Sequence, residues 1–413
     1  MQYPAQSDIS EKDQRRQYYK YAAINFAFYI TLTFNGYVNV FLQSIGFNPQ
    51  QVGMITALNS GVGIFSSPFW GMLSDKIRSL KKVITVALTV GAILFFLIPW
   101  VSGMYIGWIP LLFLLIPISM FFRTPVMSLI DNWTLRNART QKLNYGALRA
   151  YGALSFALAS LALGYIIPRT GVEFIFLAGV IFTVPPLLLV VFIKDNANKQ
   201  DTKNKNLTFK EMNIGQLFKN YYLVAYIIFS IFLRIPFQSS MIFLPFLIAD
   251  VGGDISQLGI AMGLRALAEI PSMLLLKPLR QKFPLYIMII GATGIFVVEC
   301  MLYSVATSFS MIVAIAMLNG IGNGMIIPAG SSYVFSLAPE HLKATTQTIL
   351  ASTNAIAGII GGLLGGLLIM LFDIKQFYFI ISIMLSIALI VFVLSFFIGE
   401  KILGIKRPGL SLN

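Results

Sequence analysis

Apolar residues run along this chain for about twenty positions at a time, and short polar turns divide the runs. Twelve runs fall at 20–43, 51–73, 83–103, 109–133, 145–167, 172–193, 221–249, 257–277, 285–306, 311–337, 348–372 and 377–399. Each is near the ~20 residues an α-helix needs to cross a bilayer, so the pattern predicts an all-α integral membrane protein with twelve transmembrane helices. The residues through Tyr18 are polar and the first run is longer than a signal-peptide core, so no cleaved signal is expected.

One long polar segment interrupts the series. It spans 194–220, opens with KDNANKQDTKNKN and carries six lysines, which marks a solvated linker. The expected organisation is an N-terminal six-helix bundle at 1–193, a cytoplasmic linker at 194–220, and a C-terminal bundle with a cytoplasmic tail at 221–413. The halves also align with each other. At a shift of 206 residues, Gly46 meets Gly252, Gln51 meets Gln257, Gly53 meets Gly259 and Lys76 meets Lys282 without a gap. Two parallel, pseudo-symmetric six-helix repeats follow from that register.

The net charge of +14 invites a nucleic-acid reading, but its placement argues otherwise. With the N-terminus taken as cytoplasmic, 24 of the 30 Lys and Arg residues lie in the tails, the linker and the even-numbered turns. The opposite side holds only Arg169 and Lys375, and four arginines lie inside spans. That is the positive-inside asymmetry; it sets both termini in the cytoplasm of a multi-pass plasma-membrane protein. Nucleic acid is not an expected partner.

The sequence offers little for catalysis. Cys300 is the single cysteine and His341, beside Glu340 in a loop, is the single histidine, which argues against a thiolate or histidine metal site. There is no G-x-S-x-G, H-E-x-x-H or Walker loop, so neither an enzyme nor an ATP-driven pump is expected, and no cofactor or metal is implied. Uphill transport would draw on an ion gradient.

The informative chemistry is seven ionisable residues inside apolar spans: Arg123, Asp131, Arg149, Arg234, Arg265, Glu269 and Glu299. Each costs about 3 kcal/mol at a bilayer centre unless it faces a partner or a wet cavity, so the set points to a polar pathway. Asp131 and Arg149 fall at similar depth on antiparallel spans four and five. They read either as a structural salt bridge or as a substrate site in which Arg149 supplies a planar fork of donors. Arg265 and Glu269, at i and i+4, share a helix face and can neutralise each other. Arg234 and Glu299 sit near the middle of their spans as a second candidate pair. Four arginines against three acids leave a cation, Arg123 or Arg234, to meet an anionic substrate group. Thr31, Asn35 and Asn39 form a polar stripe on span one, suited to lining a cavity or to holding another helix. Gly358, Gly361, Gly362, Gly365 and Gly366, with G-x-x-x-G spacings, read as close helix packing, and Asn319-Gly320-Ile321-Gly322-Asn323-Gly324 as packing and hinge.

Two six-helix repeats with the turn Gly71-Met72-Leu73-Ser74-Asp75-Lys76 resemble the major facilitator superfamily, whose helix 2–3 signature carries the same glycine, aspartate and base. By that resemblance Gly71, Asp75 and Lys76 form the conformational loop. The run D-N-W-T, a short basic loop, then Y-G-x-x-R-x-Y-G-x-x-x-F is similar to the lactose-permease and phenylpropionate-permease branch. The resemblance implies substrate binding by Asp131 and Arg149, with Phe156 at the position of the sugar-stacking tryptophan; Arg123 and Asn35 join them from the residue reading. The second half departs from the branch. Glu299 stands where the permease has an arginine, and its histidine and glutamate fall near Asn319 and Gly322, so proton coupling passes to Glu299 and Glu269 with Arg234 and Arg265. The expected protein is a monomeric secondary transporter moving a small polar organic solute, an oligosaccharide or organic acid, by proton symport. Drug or sugar efflux, and a non-transporting membrane scaffold, are the alternatives.

Overall fold

The computed structural model describes residues 11–77, 79–140, 143, 145–193, 214–254, 257–339 and 342–407. Residues 194–213 of the expected linker, His341 with Glu340, and the side chain of Asp75 lie outside the described residues. The expected spans fold as α1 (Glu11–Gly36), α2 (Val38–Ser44), α3 (Pro49–Ile77), α4 (Leu80–Leu97), α5 (Leu112–Thr140), α6 (Tyr145–Thr170), α7 (Phe174–Phe192), α8 (Tyr221–Asp250), α9 (Leu258–Lys282), α10 (Leu285–Ser304), α11 (Phe309–Leu337), α12 (Lys343–Leu371) and α13 (Ile374–Phe397). The first expected span is divided, since the helix breaks at Tyr37 and resumes as α2.

Local chemistry sets the ends. Ser79, Asn220, Ser308 and Asp373 each accept a hydrogen bond from the backbone N–H three residues on, capping α4, α8, α11 and α13. Because α3 runs on to Ile77 and Ser79 already caps α4, Gly71 and Lys76 lie within a helix and the turn itself is tighter than the sequence suggested. Between α4 and α5 a short antiparallel hairpin pairs Tyr105 with Pro110 and Ile106 with Ile109, and Gly107 takes the positive φ of 62° such a turn requires.

Among the described residues, nine helices are long and apolar enough to cross a membrane. The three expected spans outside that set contain α1, α3 and α9, which carry Asn25 and Asn35, Asn59 and Ser60, and Arg265 and Glu269.

Packing groups the helices into two compact units. The first takes residues up to Asn35, then Phe65–Phe156, then Ile175 through α7; the second takes Gly36–Ile64, Ala157–Phe174 and the helices from α8 onward. Trp133, Tyr21, Phe28 and Trp70 anchor the buried core of the first unit, with Tyr21 edge-on to Trp133 at 5.7 Å. In the second unit the α12 glycines work on two faces. Gly358, Gly362 and Gly366 meet Ser60, Gly53 and Pro49 of the α2–α3 region, while Gly361 and Gly365 meet Ile235, Ser239 and Phe243 of α8. A Cβ at any of these would run into a neighbour, so the four-residue spacing is what lets three helices touch.

Candidate functional site

In the first unit, Arg149 Nη1 donates to Asp131 Oδ2 at 3.0 Å, with the two side chains 44% and 18% exposed. Tyr29 Oη also donates to Asp131, at 3.4 Å. Gly152, one turn along α6 from Arg149, makes this reach possible: a Cβ there would lie 2.7 Å from the Tyr29 ring. The acid is thus held from two helices. Phe156, on the same helix, packs partly buried against the hydrophobic core.

Arg123 of α5 lies deeper. Its Nε and Nη2 both donate to Asn35 Oδ1, at 3.1 Å and 2.8 Å, and Nη2 also reaches the Thr31 carbonyl at 3.4 Å. The guanidinium stands 4.0 Å over the Phe95 ring. Gly91 leaves room for the Arg123 stem, and Gly179 for Phe95. Thr31 and Asn35 of the polar stripe therefore hold a neighbouring helix. They also line a small pocket with Phe28, Thr183 and Arg123, with space for about one water.

The second unit holds the remaining four charges, in a pattern the sequence reading missed. Arg265 Nη1 donates to Asn319 Oδ1 at 3.1 Å, and Asn319 Nδ2 donates to both oxygens of buried Glu299, at 3.0 Å and 2.9 Å. Asn323 Nδ2 donates to Glu269 Oε2 at 3.2 Å. Arg234 Nη1 donates to Asn354 Oδ1. The two expected ion pairs, Arg265 with Glu269 and Arg234 with Glu299, are not among the described salt bridges. For the first there is a plain cause: an i,i+4 pair is favoured with the acid on the N-terminal side, and here the order is reversed. Asn319 and Asn323 repeat the same four-residue step on α11, Asn319 taking Arg265 together with Glu299 and Asn323 taking Glu269.

Glycines set that register. Gly320 lies against the Arg265 carbonyl and Gly324 against Ser272, both on α9, while a Cβ at Gly322 would come 2.6 Å from Phe296 of α10. The stretch that reads as packing and hinge therefore also seats Asn319 between Arg265 and Glu299. Two asparagines four apart within an apolar span were the available signal, the same one that singled out Thr31 and Asn35.

This geometry predicts the outcome of a thermal-unfolding cycle. Arg234→Gln and Glu299→Gln are expected to add within about 0.5 kcal/mol, as independent sites do, whereas Asn319→Ala and Glu299→Gln are expected to be coupled. Coupling between Arg234 and Glu299 as large as that between Asn319 and Glu299 would contradict the assignment.

Residues 18–400 match the model of the MFS_1 like family, and the chain belongs to that family. It is 26% identical over 306 residues, 73% of each chain, to the uncharacterized transporter YwbF of Bacillus subtilis (strain 168). It is 23% identical over 303 residues to the maltose permease of Geobacillus stearothermophilus, covering 73% of this chain and 74% of the permease. In structure it resembles the nucleoside transporter NupG, with a TM-score of 0.77 at 18% identity, covering 93% of this chain and 99% of that one. The protein is a multi-pass membrane transporter with the major facilitator fold and is not an enzyme.

Proposed function

We propose that the protein carries a small polar organic solute together with a proton across the plasma membrane by alternating access, as a monomer with both termini in the cytoplasm. The six-helix repeats of the sequence, at 1–193 and 221–413, are taken as its functional halves. An organic acid is favoured over an oligosaccharide. The observation that carries this is the partner of each half-buried arginine: Arg123, Arg234 and Arg265 meet the amide oxygens of Asn35, Asn354 and Asn319. An amide orients a guanidinium without neutralising it, so an anionic group on the substrate would supply the missing charge. The second reading, an oligosaccharide, is favoured by the likeness to a maltose permease and by the lactose-permease-like pattern at Asp131 and Arg149. Thermal-shift screening of the purified protein against sugars, nucleosides, aromatic acids and dicarboxylates at two pH values separates the two. Stabilisation by sugars alone would displace the organic-acid reading.

Proton coupling is assigned to Glu299, buried and amide-bound, with Glu269 as the second carboxylate. Glu299→Gln is expected to keep counterflow of the substrate found in that screen and to lose its accumulation against a gradient. Accumulation at the wild-type level would move the proton site to another acid, Glu269 or Asp131.

A further inference from the structure

We propose that Asn319 is an amide switch through which protonation of Glu299 frees Arg265 to bind an anionic group. The proposal deepens the reading of Glu299 as the proton site and rests on it. Asn319 is fully committed in the observed arrangement. Both its polar atoms are used in one line, Arg265 Nη1 to Oδ1, then Nδ2 to the two carboxylate oxygens, and both Asn319 and Glu299 are 1% exposed. This is the arrangement of an ionised acid, which only accepts hydrogen bonds. A protonated Glu299 presents an O–H donor instead. The amide then satisfies it by turning over about its Cβ–Cγ bond, so that Oδ1 accepts from the acid. That turn brings Nδ2 round toward the guanidinium. Two donors now face each other, and Arg265 must find another acceptor.

Two further features fit an arginine held for release. Arg265 Nε is buried with no hydrogen-bond partner among the described residues, and its other contact is only the Met241 sulfur, 3.8 Å from Nη1. The Tyr303 hydroxyl, one turn beyond Glu299 on α10, is also buried and without a partner among the described residues, so a spare polar group lies on the helix that carries the acid. The ionisable groups around Glu299 are Arg265 from α9, Tyr378 from α13, and Cys300 and Tyr303 from its own helix; α8 contributes the neutral Ser240. Of these, Arg265 alone carries a charge opposite to the carboxylate. A bound proton and a bound anion therefore support each other. That is the thermodynamic condition for moving the two together.

The test uses full-length protein in detergent and follows the infrared C=O stretch of the protonated acid, assigned by its loss in Glu299→Gln. Acetate binding is read in parallel as thermal stabilisation, with glycerol as the neutral control. In the wild type, acetate is expected to stabilise below the pH at which the band disappears and much less above it, and to do neither in Arg265→Gln. Asn319→Leu, near the size of asparagine and unable to donate, is expected to raise the band's midpoint by about one pH unit, because the carboxylate loses its N–H donors. It is also expected to weaken the pH dependence of the acetate effect, leaving only the part that comes from the charge of Glu299 itself. Asn319→Ala serves as the second variant if the leucine protein does not fold. An unchanged midpoint with an unchanged acetate response in an Asn319 variant overturns the switch while leaving Glu299 as the proton site. A midpoint that falls, or acetate stabilisation equal on both sides of it in the wild type, overturns the switch as well. A Glu299 band that never titrates overturns the proton-site reading along with it.

Discussion

Arg149→Lys and Asp131→Asn are each expected to abolish uptake of the transported solute while the protein still inserts and purifies. One Arg149 N–H holds Asp131 at 3.0 Å, and the 44% exposure of the arginine side chain leaves its guanidinium accessible to a ligand. Lysine preserves the charge but replaces a planar fork with a compact point charge. A hydrogen bond to a charged group is worth about 1.5–3 kcal/mol, so losing one substrate contact alone lowers affinity roughly tenfold to a hundredfold. The Asp131→Asn amide would keep the shape of the acid and lose its attraction for Arg149. Initial-rate uptake by the lysine protein, normalised to its amount in the membrane, is the deciding measurement. Near-normal rates would assign the pair a structural role.

The second large effect is expected at Gly53. A Cβ there meets the Gly362 carbonyl and comes within 3.1 Å of its carbon, so neither helix can yield without moving backbone. Gly53→Ala should destabilise the second unit by about 1–3 kcal/mol, as overpacking does. Gly291→Ala provides the opposite sign. It sits within α10 with nothing inside 4 Å of its Cβ, and alanine should there gain about 0.5–1 kcal/mol through helix propensity. Melting temperatures of the two variants, one lowered by several degrees and one raised slightly, test the seam. A Gly53→Ala protein as stable as the wild type would show that α3 and α12 do not approach so closely.

Helix number and position were legible because apolar runs of spanning length leave little alternative in a bilayer. Most boundaries agree to within a few residues, and the capping residues Ser79, Asn220, Ser308 and Asp373 stand where such starts require them. The break at Tyr37 left no sign in the hydrophobic pattern, which runs on across it; the local signal was the Asn35-Gly36 dipeptide, poor in helix propensity and typical of turns. The meeting of Asp131 with Arg149 was readable from depth and direction. The partners of the other charges were not, because depth along a helix says nothing about which face is turned where. Counting charges led toward ion pairs, whereas the glycines of α11 brought amides to Arg265, Glu269 and Glu299 first. Tyr29 was missed for a related reason: only the absence of a side chain at Gly152 brings its hydroxyl to Asp131.

The asparagines at 35, 319 and 354 carry an evolutionary consequence. Asparagine and aspartate codons differ by one base, and the side chains have nearly the same shape. At 35 and 354 a point mutation would therefore give the arginine a full counter-charge with little repacking, whereas at 319 the new carboxylate would lose the N–H donors and face Glu299. A scaffold that keeps its arginines can therefore change how many of them carry a counter-charge by single-base steps at 35 and 354.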